Sequence, residues 1–276
     1  MTQAKRTTLF RFLGVMAWRA AALGLLFSVA SLPLSETPLA ADVQFAEPSP
    51  SATILPGIGR NDDRQPVNPA DFPWRALGRV QTALGSRCTG FMVGPRTAIT
   101  AAHCLFRERT RLIIQPRLIH FLLATSRGAA AGVALVADFT IAPGYDPFHE
   151  SESAGADWAV LTLSAPLVRE GEYLRLDRTL PPRGTPALLG GYSKDHIEII
   201  EADLHCLIAE QIRDARGGVL LHHTCHATSG TSGAPLLFRL GSGEWRVAGV
   251  QIGSVVDHAG GIAVPAAAIP TSAIGR

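Results

Sequence analysis

A serine set among glycines, Gly230-Thr231-Ser232-Gly233-Ala234-Pro235, is the segment of this chain best suited to chemistry. The flanking glycines let the backbone turn tightly and present the Ser232 hydroxyl. A serine hydroxyl is a weak nucleophile at neutral pH and needs a nearby base to take its proton. Far upstream, Thr100-Ala101-Ala102-His103-Cys104 supplies an imidazole, and Asp157-Trp158-Ala159-Val160-Leu161 supplies a carboxylate able to orient it. Each segment is a weak signal by itself. A histidine after two alanines is often a packed residue, Gly-x-Ser-Gly occurs in ordinary loops, and an aspartate before an apolar run often just ends a strand. Their joint occurrence in the order His, Asp, Ser, each beside strand-like sequence, points to acyl transfer, with peptide-bond hydrolysis as the leading reaction.

Those residues must be positioned by a β framework. The chain has 276 residues, enough for one large domain or two small ones. A formal net charge of +2, with Lys and Arg scattered, excludes a nucleic-acid partner as the expectation. Glycine (27) and proline (19) are plentiful and charged residues are only 17%, which favours a turn-rich β protein over a helical bundle. Apolar runs at 75–84, 91–93, 97–102, 112–114, 118–124, 131–137, 158–163, 187–189, 197–202, 204–208, 236–240, 245–252 and 261–264 read as strands. Gly94-Pro95, Pro143-Gly144, Pro181-Pro182, Gly190-Gly191 and Gly217-Gly218 punctuate them. Many short strands at this spacing predict an all-β barrel or sandwich, and residues 265–274 read as a short terminal helix.

The N-terminus reads as an export signal over residues 1–30. Lys5, Arg6 and Arg11 form a basic start, Ala20 to Ala30 an apolar run, and Ser28-Val29-Ala30 a small-x-small cleavage site; Leu39-Ala40-Ala41 offers a second. A membrane anchor fits less well, because Arg19 interrupts the apolar stretch and the run after it is short of the ~20 residues needed to span a bilayer. Residues 31–53, rich in Pro, Ser and Ala, read as a propeptide or disordered linker. The expected location is secreted or periplasmic. Four cysteines, Cys88, Cys104, Cys206 and Cys225, suggest two disulfides in an exported chain. Three pairings are possible, and the sequence-local one is the simplest.

The three chemical segments resemble those of the chymotrypsin-like (trypsin-type) serine peptidases, and Cys88-Thr89-Gly90-Phe91-Met92-Val93-Gly94-Pro95 looks like the strand before the family histidine. Ile58-Gly59-Arg60-Asn61-Asp62-Asp63-Arg64, Phe72-Pro73-Trp74-Arg75-Ala76 and Gly191-Tyr192 are similar to the bacterial branch that includes the glutamyl endopeptidases. The resemblance covers roughly residues 55–270. It implies two six-stranded antiparallel β-barrels, over 54–170 and 171–276, with the site in the cleft between them. It implies Ser232 as nucleophile, His103 as base, Asp157 as its orienter, and the N–H groups of Gly230 and Ser232 as an oxyanion hole. It also implies a Cys88–Cys104 bridge and polypeptide substrates. No cofactor, no stable membrane anchoring after signal cleavage, and a monomer are expected. The competing reading is a catalytically silent binding module on the same fold. An α/β-hydrolase esterase fits less well, because here the histidine precedes the serine.

The chain departs from the family in two places. Thr231 stands where trypsin carries an aspartate that pairs with a newly cut N-terminal amine, so activation by that ion pair is not expected. The substrate pocket is read at His226, Ala227, Thr228, Gln251 and Gly253. None of these is a carboxylate, so selection of Arg or Lys side chains is not expected. Gln251 occupies the position where glutamate-specific members place a histidine. His205, Cys206, His222, His223, Cys225 and His226 form a Cys/His cluster whose spacing follows no zinc motif. A disulfide flanked by histidines is expected there, and no metal.

Overall fold

The computed structural model describes residues 55–275. The expected signal peptide (1–30) and propeptide or linker (31–53) lie outside the described residues. The strands are β1 (Gln65–Pro66), β2 (Leu77–Thr82), β3 (Arg87–Gly94), β4 (Thr97–Thr100), β5 (Ile119–Leu123), β6 (Gly132–Ile141) and β7 (Ala159–Leu163). They continue with β8 (Arg175–Leu176), β9 (Thr185–Gly191), β10 (Glu201–Arg213), β11 (Val219–His223), β12 (Pro235–Arg239), β13 (Trp245–Ser254) and β14 (Gly261–Pro265). Among the described residues no helix is long and apolar enough to cross a membrane.

Strands β2, β3, β4, β7, β6 and β5 close into one six-stranded antiparallel barrel. Strands β9, β10, β11, β14, β13 and β12 form a second, closed by the β10–β9 pairing. Closure removes sheet edges that would otherwise expose unpaired backbone groups. β1 adds to β10, and β8 runs parallel to β13. This is the architecture that the resemblance implies.

The period-2 alternation of side chains sorts the apolar residues into three layers. Along β7, Ala159, Leu161 and Leu163 fill the first barrel, while Val160 faces a layer shared by both barrels. β3 does the same with Met92 inside its barrel and Phe91 and Val93 in the shared layer. From the other side, β12 sends Leu237 to that layer and Leu236 into the second barrel. Trp74, Trp158, Tyr192, Val247 and Val264 complete the shared layer. It buries both barrels against one another and fixes the relative positions of the loops above it.

The structure differs from the sequence reading in a few elements. Residues 112–114 make only an isolated bridge, Phe106 with Ile113, since Ile114 is buried as a core plug rather than paired. The runs at 197–202 and 204–208 are not two strands. β10 is a single strand that starts at Glu201, with a register break between Asp203 and Cys206 that re-aims its side chains. β11 is masked in the sequence by its histidines, although its Leu220 and Leu221 are buried. The predicted terminal helix shrinks to a 3-10 turn at Ala266–Ala268 and one short helix, α1 (Thr271–Ile274).

Candidate active site

Antiparallel pairing of β4 with β7 sets Thr100 opposite Ala159. The chain leaving β4 and the chain entering β7 therefore meet at one end of the first barrel. The first turns through a 3-10 segment, Ala102–Leu105, that carries His103. The second enters through another, Ala154–Ala156, directly before Asp157. His103 Nδ1 lies 2.7 Å from Asp157 Oδ2, and the His103 backbone N–H donates to Asp157 Oδ1 at 2.9 Å. The carboxylate is buried and can only accept, so Nδ1 carries the proton and Nε2 is left as the basic nitrogen. Burial alone would pull the His103 pKa down. The charge and hydrogen bond of Asp157 outweigh it, and the pKa ends above the ordinary imidazole value.

Ser232 sits in the turn before β12, a turn held through its carbonyls and the Gly233 N–H. Its carbonyl accepts from the Thr89 N–H at 2.8 Å, and the Thr89 hydroxyl donates to the Gly230 carbonyl at 2.9 Å. Gly233 N–H donates to the Gln251 carbonyl at 2.7 Å. Two glycines make this turn possible. Gly230 has φ +95°, and a Cβ there would come within 2.5 Å of the Tyr192 carbonyl oxygen. Gly233 has φ +85°, and its Cβ would meet the Thr89 carbonyl oxygen at 2.1 Å. With the carbonyls engaged, no hydrogen bond among the described residues takes up the N–H of Gly230 or of Ser232. His103, Gly230 and Ser232 line one open cleft of about 720 Å³. A base, a hydroxyl and two unengaged N–H donors at one cleft are the parts that acyl transfer requires.

Thr231, beside Ser232, is buried, and its hydroxyl meets the Ser193 hydroxyl at 3.0 Å. The pair is neutral, as expected where no activating ion pair is made. Cys88–Cys104 ties β3 to the His103 turn, and Cys206–Cys225 ties β10 to the loop after β11. The sulfurs of Cys88 and Cys104, which lie beside His103, are bonded to each other, so this cluster offers no thiolate to a metal.

The pocket residues read from sequence are distributed unevenly. Ala227 is fully buried, and its carbonyl accepts from the Ser254 hydroxyl at 2.6 Å. Thr228 is buried and its carbonyl accepts from the Thr231 N–H. Gln251 is buried at the centre of a chain of bonds. The Cys225 N–H donates to His223 Nδ1 at 3.2 Å, His223 Nε2 meets Gln251 Oε1 at 2.6 Å, and Gln251 Nε2 donates to the Gly253 carbonyl at 2.9 Å. His223 accepts at Nδ1, so its Nε2 carries the proton, and burial pushes its pKa down to about 4. His226 lines a separate cavity of about 400 Å³ with Asp63, Asp203 and His205.

Sequence reasoning missed several residues that hold the site. Thr89 is one, an unremarkable strand threonine by pattern, which bonds the Ser232 turn twice. Asp214 is another. Its carboxylate accepts from the Gly155 N–H at 2.7 Å and the Gly218 N–H at 2.7 Å, anchoring the Asp157 approach to the second barrel's β10–β11 connection. Close packing of Gly155 on Gly218 leaves no room for a Cβ. The Gly217-Gly218 pair was the only local signal.

Two antiparallel barrels with a His–Asp pair and a glycine-flanked serine on one cleft define the chymotrypsin-like class of fold. The trypsin family profile matches residues 62–274, and the chain belongs to that family. A glutamyl endopeptidase of Bacillus licheniformis is 27% identical over 156 residues, covering 50% of this chain and 42% of the relative. The match therefore spans less than half of that protein's length. A solved Glu endopeptidase, in complex with MPD, superimposes with a TM-score of 0.64 at 19% identity, over 76% of this chain and 93% of that one.

Proposed function

We propose that this chain is an exported serine endopeptidase that cleaves peptide bonds through an acyl-enzyme on Ser232. The observation that carries the reading is the shared cleft of His103, Ser232 and the unengaged Gly230 and Ser232 N–H groups. Ser232 Oγ attacks the scissile carbonyl carbon while His103 Nε2 takes its proton. Asp157 keeps the imidazole in the productive tautomer and stabilises the imidazolium. The carbonyl oxygen, now negative, accepts from the two N–H groups. His103 then gives its proton to the leaving amine, and water repeats the cycle to release the acid. Labelling by an active-site fluorophosphonate, abolished in Ser232→Ala, tests this. A wild-type protein that takes no label at Ser232 is a silent binding module instead.

The pocket around Ala227, Thr228, Gln251 and Gly253 is read as preferring uncharged side chains, with acidic ones as the alternative that the named relative suggests. His223, neutral near pH 7, supplies no cation behind Gln251. A peptide-library digest dominated by cleavage after Arg or Lys overturns this. Export rests on the basic and apolar N-terminal sequence and on the pairing of all four cysteines. N-terminal sequencing of the secreted protein, starting after Ala30 or Ala41, checks it.

A further inference from the structure

Arg64 is an unusual residue for the segment leading into β1. Its side chain is only 2% exposed, yet it carries a charge. Nε and Nη2 donate to the two oxygens of Asp62 at 2.9 and 2.7 Å. Nη1 and Nη2 donate to the two oxygens of Asp195 at 3.3 and 2.5 Å. Glu201 Oε2 lies 3.8 Å away. Burial opposes the charge, and the bonds to Asp62 and Asp195 outweigh it, so the guanidinium is held well above its ordinary pKa. Two bidentate forks on one buried guanidinium fix geometry as well as charge.

What this geometry fixes is the loop after β9. Asp195 ends a run, Tyr192-Ser193-Lys194-Asp195, that is stitched to the nucleophile turn. Tyr192 N–H donates to the Thr89 hydroxyl, which in turn donates to the Gly230 carbonyl. The Ser193 hydroxyl meets that of Thr231. Lys194 N–H donates to the Ser229 carbonyl at 2.7 Å. Gly230 rests directly on this loop, since a Cβ there would meet Tyr192 O and Lys194 N at 2.5 and 2.9 Å. Thr231 has no charge with which to anchor the turn itself.

We propose that Arg64 is a positioning residue: by clamping Asp195 it holds loop 192–195 against Ser229–Thr231 and so aims the Gly230 N–H at the developing oxyanion. The inference rests on the peptidase reading above. Arg64 touches no reacting atom. It acts through Asp195, the loop and the turn, and its loss is felt as a weakened oxyanion donor.

The test compares Arg64→Ala, Arg64→Lys and Asp195→Asn with wild type, using kcat per fluorophosphonate-labelled site on a peptide amide. Asp195→Asn leaves Arg64 paired with Asp62, so this variant decides the matter if Arg64→Ala fails to fold. Removing one oxyanion donor costs roughly 10²–10³ in kcat, and a misaimed donor is expected to cost roughly 10² in Arg64→Ala and about tenfold in Asp195→Asn. KM stays within about threefold, and Arg64→Lys recovers part of the loss. A folded Arg64→Ala or Asp195→Asn with wild-type kcat per site, and a loss only of thermal stability, overturns the proposal. Amide hydrogen exchange over 228–233 gives a readout independent of activity. It is expected to speed up in both variants while β2–β7 is unchanged, and unchanged exchange also overturns the clamp. Failure of wild type to label at Ser232 instead overturns the peptidase reading, and the exchange measurement still decides the clamp.

Discussion

Two histidine–aspartate pairs in this molecule share nearly the same local geometry. His103 Nδ1 lies 2.7 Å from Asp157, and His226 Nδ1 lies 2.8 Å from Asp203. In each pair the histidine's own N–H donates to the carboxylate, at 2.9 and 3.0 Å, and in each the carboxylate is buried. The surroundings differ. His103 shares its cleft with Ser232 and two unengaged N–H donors. His226 shares its cavity with Asp63, Asp203, His205, Cys206 and Thr224, and among the described residues no serine lines it. Asp203 also accepts from the His205 N–H at 3.0 Å, so it ties the chain around the Cys206–Cys225 bridge. An oriented imidazole is thus a structural device in one place. In the other it shares its cleft with a hydroxyl and two N–H donors, which is what the proposed role as a base requires.

The largest effect that separates the two regions is expected from deleting the proposed nucleophile. Ser232→Ala is expected to lower kcat by about 10⁶, as loss of a triad serine does elsewhere, with little change in melting temperature. Single-turnover assays on a peptide amide check this. A residual rate above about one-hundredth of wild type breaks the assignment of Ser232.

Next come the carboxylates, where the comparison is sharpest. Asp157→Asn preserves shape and offers His103 the wrong tautomer, so kcat is expected to fall by about 10⁴. Asp203→Asn makes the matching change at the other pair. It weakens buried bonds to His205 and His226, and is expected to cost about 1–3 kcal/mol of stability while kcat per labelled site stays within about threefold. Urea unfolding alongside labelled-site kinetics measures both. Equal kinetic losses in the two variants erase the distinction.

The sequence made one half of this comparison legible and hid the other. His103, Asp157 and Ser232 stand out because each lies in a short motif whose neighbours suit a strand end or a glycine turn. The barrels were legible for a related reason: alternating runs such as Ala159 to Leu163 announce a two-faced strand. Asp203 and His226 carry no such signal, and by alignment His226 reads as a pocket residue. In the fold, Asp203 of β10 bonds both the backbone N–H and the ring of His226. Thr89, Ser193, Arg64 and Asp214 were equally silent, because their roles are hydrogen bonds across a long stretch of chain. No local period encodes a partner more than a hundred residues away, as Thr89 is from Gly230.

His223 adds a third environment, with no carboxylate hydrogen-bonded to its ring. Its two nitrogens are used by the Cys225 N–H and Gln251, and burial holds its pKa near 4. A folded pKa below the unfolded value of about 6.5 means that the unfolded chain binds the proton first. Stability from this residue is therefore complete above pH 6.5 and lost as pH falls towards 4, by about 3 kcal/mol over the window. Urea unfolding at pH 7 and pH 4.5 measures the loss, and His223→Gln is expected to remove most of that difference. An NMR titration in which His223 protonates near pH 6.5 contradicts it.

His103 carries the opposite sign. Its folded pKa is raised, so the folded state holds the proton more tightly than the unfolded chain. The stabilisation from its pair with Asp157 is present below pH 6.5 and is lost as pH rises through the folded pKa. Catalysis needs the neutral ring, so the acid limb of kcat/KM is expected to have its midpoint above 6.5. Asp157→Asn removes the charge that outweighs burial, and the residual activity of that variant is expected to have its midpoint below that of wild type. Profiles of kcat/KM between pH 5 and 9 for both proteins measure the difference. A wild-type midpoint below 6.5 would mean that burial, not Asp157, governs His103. The His103–Asp157 pair would then titrate like the buried His223, whose ring bonds no carboxylate, and the functional contrast among these histidines would rest on Ser232 alone.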